Sequence, residues 1–288
     1  MTLQSLIPER FRSDIPVVPV VRMQGAIGFS TPLRPGLTLA AVTRSLDRAF
    51  GIKRAKAVAL VINSPGGSPA QSHLIFRRIR QLSEEKKLPV IAFVEDVAAS
   101  GGYMVACAAD EIICDPYSIA GSIGVIGGTF GFHKLIEKLG IERRLYTSGE
   151  RKAMLDPFLP EKPEDVERIK AVQKDIHDHF IALVKERRSG KLNGADATLF
   201  SGEYWTAETA KELGLVDAIG DLRGVLRARF GDKVKTPLIA EKRGLLGRLM
   251  PGTRLDTGLG TLRGAADELP DSLISALEER ALWARYGL

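Results

Sequence analysis

At 288 residues with 44% hydrophobic side chains, the chain is long enough for a large buried core, as one domain or as one domain with an appendage. A net charge of only +6, from 41 basic and 35 acidic residues, and 6% aromatics with no basic–aromatic interleaving argue against a nucleic-acid-binding track. Two cysteines, Cys107 and Cys114, without Cys-x-x-Cys spacing or clustered histidines, argue against a disulfide scaffold or a thiolate metal site and read as small core hydrophobes.

The opening residues Met1 to Arg10 lack the basic and apolar regions of a secretion signal, and no 18-residue apolar span follows. The expectation is a cytoplasmic protein, or one peripheral to a membrane. Val17 to Met23 is β-branched and apolar and predicts a strand; Leu39, Val42, Leu46 and Phe50 predict a helix over Leu37 to Phe50. The continuous apolar run Ala57 to Ile62 predicts a strand buried on both faces, closed by the loop Asn63-Ser64-Pro65-Gly66-Gly67-Ser68-Pro69. An amphipathic helix from about Ala70 to Lys87 turns Leu74, Ile75, Ile79 and Leu82 inward, and Pro89 resets the chain into a strand over Val90 to Val94.

Small residues follow, Val97-Ala98-Ala99-Ser100-Gly101-Gly102-Tyr103-Met104, then a short helix to about Ala109, a strand over Glu111 to Cys114 and a loop from Ala120 to Gly128. The pattern continues with a helix from Phe132 to Leu139 stopped at Gly140, an alternating strand over Glu142 to Thr147 and the loop Ser148 to Lys152. A long helix over Pro163 to Arg188 and another over Ser201 to Leu213 complete a repeated strand–helix order, which predicts the α/β class. Beyond about Gly231 the character changes. Lys242 to Gly264 holds five basic residues and one acidic, and Leu273, Leu277 and Leu282 give helical spacing over Asp271 to Tyr286. The expected division is an arm at 1–16, a catalytic domain at 17–230, and a basic linker with an amphipathic tail at 231–288. That tail is expected to be a flexible appendage, or to touch an anionic membrane surface or a neighbouring subunit.

A serine at a strand-to-helix corner sits beside unpaired N–H groups and a partial positive charge, both suited to an oxyanion. The plainer reading of Ser100 is a helix cap. If Ser100 is a nucleophile, the N–H groups of Gly66, Gly67 and Gly101 are candidate oxyanion donors. The corner has no Gly-x-Ser-x-Gly, and the chain has no phosphate loop, Gly-x-Gly-x-x-Gly or His-Glu-x-x-His, so no cofactor or metal is expected. Two bases remain open, His133 in a Ser-His-Asp arrangement and Lys152 in a Ser-Gly-x-x-Lys loop followed by Ala153-Met154-Leu155. A lysine in water is protonated at neutral pH and useless as a base; burial against apolar neighbours removes that obstacle.

Taken together, Ile62 to Gly67, Ala98 to Tyr103, Gly121-Ser122-Ile123-Gly124-Val125, Ser148 to Lys152 and Leu213 to Asp217 resemble, in order and spacing, the half-length bacterial members of the signal peptide peptidase A family of Ser-Lys serine peptidases. The resemblance covers roughly residues 17 to 230. It implies a Clp protease/crotonase-like fold of stacked β-β-α units, here with a C-terminal helical extension. It makes Ser100 the nucleophile and Lys152 the base, with Gly67 and Gly101 as oxyanion donors and Ser122 hydrogen-bonding the lysine. It also implies extended peptide substrates, typically signal-peptide remnants with small or apolar side chains, and rings in which neighbouring chains share the dyad. Family members usually carry an N-terminal membrane anchor, which this sequence does not show. Three other readings stay open: a Ser-His-Asp peptidase using His133, a crotonase-type acyl-CoA enzyme, and a silent peptide-binding scaffold.

Overall fold

The structure is a computed structural model that describes residues 15–28, 36–239 and 280–288. The basic segment 242–264, most of the arm at 1–16 and the expected tail helix before residue 280 lie outside the described residues.

The first strand, β1 (Val20–Gln24), leads to α1 (Leu39–Phe50), whose N-cap Thr38 accepts a hydrogen bond from the Ala41 N–H. β2 (Val58–Ser64) is buried at every position: Val58, Leu60 and Ile62 face one core cluster and Ala59 and Val61 another, while β1 and β3 (Val90–Ala99) pair with its two edges, both parallel. Parallel strands need a crossover, and α2 (Pro69–Lys86) supplies it between β2 and β3. On α2, Ile75, Ile79 and Leu82 face the core as expected, while Leu74 is 43% exposed, rotated off their stripe. β3 runs five residues past the expected end at Val94.

That extension lets one strand serve two partners. Its first half pairs with β4 (Glu111–Cys114) and its second with β5 (Ile119–Gly121), while α3 (Gly101–Ala106) leaves its end. The region expected to be a loop from Ala120 therefore begins as a strand. Further on come α4 (His133–Lys138), α5 (Pro163–Arg187), α6 (Asp196–Leu199), β6 (Tyr204–Thr206), α7 (Ala207–Glu212), β7 (Ala218–Ile219) and α8 (Leu222–Phe230). β6 runs antiparallel to β5, so the helix expected from Ser201 starts only at Ala207; the aromatic and β-branched residues Tyr204-Trp205-Thr206 extend the sheet instead. The strand expected over Glu142 to Thr147 does not form: the segment is exposed and has no neighbouring strand among the described residues, and alternation without a partner cannot satisfy a ladder. The α/β class is as expected, with the sheet in the order β1-β2-β3-β4-β7 and helices alternating with its strands.

Cys107 and Cys114 are buried and free, and burial pushes each thiol up to about 12, consistent with inert core positions. Arg188, 3% exposed, ties α5 to the segment before β7: its guanidinium donates to the Gly214 carbonyl (3.0 and 2.7 Å) and to Asp217 (2.6 Å). Asp217 also accepts from Lys191 (2.6 Å) and from the Ile112 N–H (2.8 Å). Burial alone would raise the Asp217 carboxyl, but the hydrogen bonds from Arg188, Lys191 and Ile112 outweigh it and hold the group below the ordinary carboxylate range. Arg188→Ala leaves that buried carboxylate short of its main partner and is expected to cost about 3–5 kcal/mol, read as a lower urea midpoint. Because folding lowers the pKa of this carboxyl, its stabilisation is complete above the unfolded value near 4. It is lost as pH falls through the folded one, so the stability gap between wild type and Arg188→Ala narrows in acid.

Candidate active site

The site is built where β2 and β3 both end. After β2, Pro69 opens α2 and Ser68 caps it through the Gln71 N–H (3.4 Å). The intervening loop is pinned to the strand-like segment at Ile27: the Ile27 N–H donates to the Gly66 carbonyl (2.7 Å) and the Ser68 N–H to the Ile27 carbonyl (2.8 Å). This arrangement requires glycine twice. Gly66 has φ +99°, and a Cβ there would stand 2.8 Å from the Ser100 Cβ and 2.9 Å from the Gly101 nitrogen. Gly67 has φ +139°, and a Cβ would run into the Ile27 carbonyl oxygen. The Gly67 N–H, between the two pinned residues, has no acceptor among the described residues.

Ser100 stands at the β3–α3 corner with φ +52° and ψ −121°, a left-handed conformation that costs a serine about 1–3 kcal/mol. Its N–H donates to the Gly121 carbonyl (2.8 Å) and its carbonyl accepts the Met104 N–H (3.0 Å), so the backbone is held on both sides. Its side chain makes no capping hydrogen bond. Ser100 thus holds the N-cap position of α3 by its backbone, but its hydroxyl does not cap and is left for something else. Gly101 opens α3, where its N–H has no intrahelical acceptor. An ideal Cβ on Gly101 would lie 3.5 Å from the Gly67 nitrogen, which places the two candidate oxyanion donors side by side.

β5 brings Ser122 to the same corner. Ala99 is in register with Gly121, and Ser122, at φ +54°, is anchored by its N–H to the Glu203 carbonyl (2.6 Å). The structure thus gathers Ser100, Gly67, Gly101 and Ser122. Lys152 is not among them. It sits in an exposed turn, with its N–H on the Gly149 carbonyl (3.2 Å), and no hydrogen bond joins it to Ser100 or Ser122. His133 is no nearer to service: it opens α4, a helix with no buried residue, and its buried Nδ1 has no partner among the described residues. In the chain between Gly124 and Lys152, Ile126, Phe130, Leu135, Leu139 and Ile141 are all more than half exposed, and the Phe132 ring meets those of Phe130 and Phe158 at a tilt, with centroids 6.0 and 5.7 Å apart. One contact had no signal in the sequence: the Tyr286 hydroxyl donates to Ser122 Oγ at 3.3 Å. Tyr286 falls within an ordinary amphipathic spacing, which gives no indication of where its ring goes.

A strained serine leaving the end of a parallel strand, with two glycine amides and a second serine beside it, is the arrangement a serine nucleophile and its oxyanion donors require. The chain belongs to Peptidase family S49, whose sequence model matches residues 82–233. A putative protease of Synechocystis is 31% identical over 82% of this chain and 82% of its own length. The chloroplastic serine protease SPPA of Arabidopsis thaliana is 35% identical over 75% of this chain and 33% of its own length. A Brucella abortus protein named Na(+)/H(+) antiporter NhaA is 56% identical over 99% of this chain. The chain spans 39% of that relative's length. Among the described residues, no helix is long and apolar enough to cross a membrane.

Proposed function

We propose that the chain is a serine endopeptidase that cleaves extended peptides with small or apolar side chains, such as signal-peptide remnants, through a Ser100–Lys152 dyad. The observation that carries this reading is Ser100 itself: a strained backbone, a hydroxyl not spent on capping, and two amides free beside it. The Ser100 Oγ attacks the scissile carbonyl while the neutral Lys152 amine takes its proton. The carbonyl oxygen, now an oxyanion, accepts from the Gly67 and Gly101 N–H groups. The resulting ammonium returns the proton to the departing amine, leaving an ester on Ser100, and water activated by the same amine releases the acid. Ser122 orients the lysine by hydrogen bonding.

In one chain Lys152 is exposed and makes no hydrogen bond to Ser100, so in this reading the dyad is completed by a second copy. The exposed apolar surface around α4 supports this, since a contiguous patch of that kind marks an interface, and burying it would take the lysine out of water. The test mixes two inactive proteins, Ser100→Ala and Lys152→Ala, under subunit exchange. Hydrolysis of a small-residue peptide returns if sites are shared between chains and stays absent if each chain builds its own.

A further inference from the structure

Ser122 has a partner in the single chain, and it is not a lysine. Residues 280–284 are helical and 285–287 form a turn, with the Tyr286 N–H on the Trp283 carbonyl (2.9 Å) and the Leu288 N–H on the same oxygen (3.3 Å). Three independent contacts seat this turn on β6 and β5. The Tyr204 hydroxyl donates to the Arg285 carbonyl (3.1 Å), the Tyr204 and Tyr286 rings meet edge-on at 5.0 Å, and the Tyr286 hydroxyl donates to Ser122 Oγ. Tyr204 is the residue in register with Gly121, so this aromatic ledge adjoins the carbonyl that holds the Ser100 N–H. Burial pushes the Tyr286 phenol up, so it keeps its proton and remains a donor throughout the neutral range.

We infer that segment 280–288 is a displaceable occupant of the base position, with Tyr286 holding Ser122 in an unassembled chain and giving way to a partner's lysine when copies associate. The inference rests on the proposed dyad, in which Ser122 must receive Lys152. A phenol ring in hydrogen-bond contact with that hydroxyl fills the approach the amine needs, and Arg285 in the same turn adds a positive charge where a second cation must enter before it loses its proton. The segment and the lysine therefore compete for one hydroxyl, which couples activity to assembly.

The test uses full-length wild type, Tyr286→Ala and Tyr286→Phe. Specific peptidase activity is measured against protein concentration, alongside hydrogen exchange of the 286–288 amides. Removing the occupant is expected to lower the concentration giving half-maximal activity about three- to tenfold in Tyr286→Ala. Tyr286→Phe, which keeps the ring contact with Tyr204, should shift it less. In wild type the 286–288 amides should be protected in dilute single chains and exchange several-fold faster once copies assemble. An unchanged or raised half-maximal concentration overturns the inference, and so does a fall in the fully assembled rate, which would make Tyr286 a positioning residue. Protection that persists on assembly overturns it even if no variant shows activity. Undiminished activity in Lys152→Ala is the separate result that sinks the dyad.

Discussion

Lys152→Ala is expected to lower peptide hydrolysis by about 10²- to 10⁴-fold, the range a positioned general base supplies, while His133→Ala stays within about twofold of wild type. The contrast follows from placement. His133 opens a helix that buries nothing, and its ring has no acid to orient it among the described residues. Lys152 lies in an exposed turn, and a lysine serves as base for serine only once it is taken out of water. Under the proposed sharing between copies, a second chain would cover the exposed apolar residues Phe130, Leu135 and Ile141 and take Lys152 out of water. Steady-state hydrolysis of a fluorogenic peptide at a protein concentration above the assembly midpoint measures both variants. Equal losses in the two would remove the distinction between them.

Gly67→Ala is expected to reduce kcat by about 10²- to 10³-fold, the cost of losing one oxyanion donor. A Cβ at this position collides with the Ile27 carbonyl, and φ +139° is hostile to any L side chain, so the loop must move. Movement there breaks the pinning by Ile27 and turns the free amide away from the Ser100 corner. Gly67 lies in the loop after β2, but Ile27, just beyond β1, is fully buried in the main core, so thermal melting is measured beside turnover to separate lost catalysis from misfolding. The variant should keep a cooperative thermal transition while losing turnover. A mutant that is merely unfolded, or one with full kcat, would contradict the assignment of Gly67.

Much of this arrangement could be read from the residues, for physical reasons. β2 announces itself as an unbroken apolar run because a central parallel strand has no wet face, and the Glu111–Cys114 strand is found at its expected bounds. The Ser100 corner was visible as small residues after an apolar strand, although capping fitted those residues equally well; the absence of a capping hydrogen bond separates the two. Elsewhere local pattern misled. Glu142 to Thr147 alternates, but strand formation depends on a neighbour that the described residues do not offer. Tyr204 to Thr206 sits inside a helical spacing, yet the open edge of β5 recruits it. The Ser122–Tyr286 contact spans 164 positions and is carried by one hydroxyl, so no periodicity reports it.

The most direct measurement is covalent trapping at Ser100. Assembled wild-type protein incubated with a fluorophosphonate should gain one adduct per reactive chain, located by peptide mass spectrometry on Ser100. Ser100→Ala should gain none, and Lys152→Ala should label at least about 10²-fold more slowly, within the range expected for loss of a general base. Labelling at another serine, or equal rates in wild type and Lys152→Ala, would contradict the account.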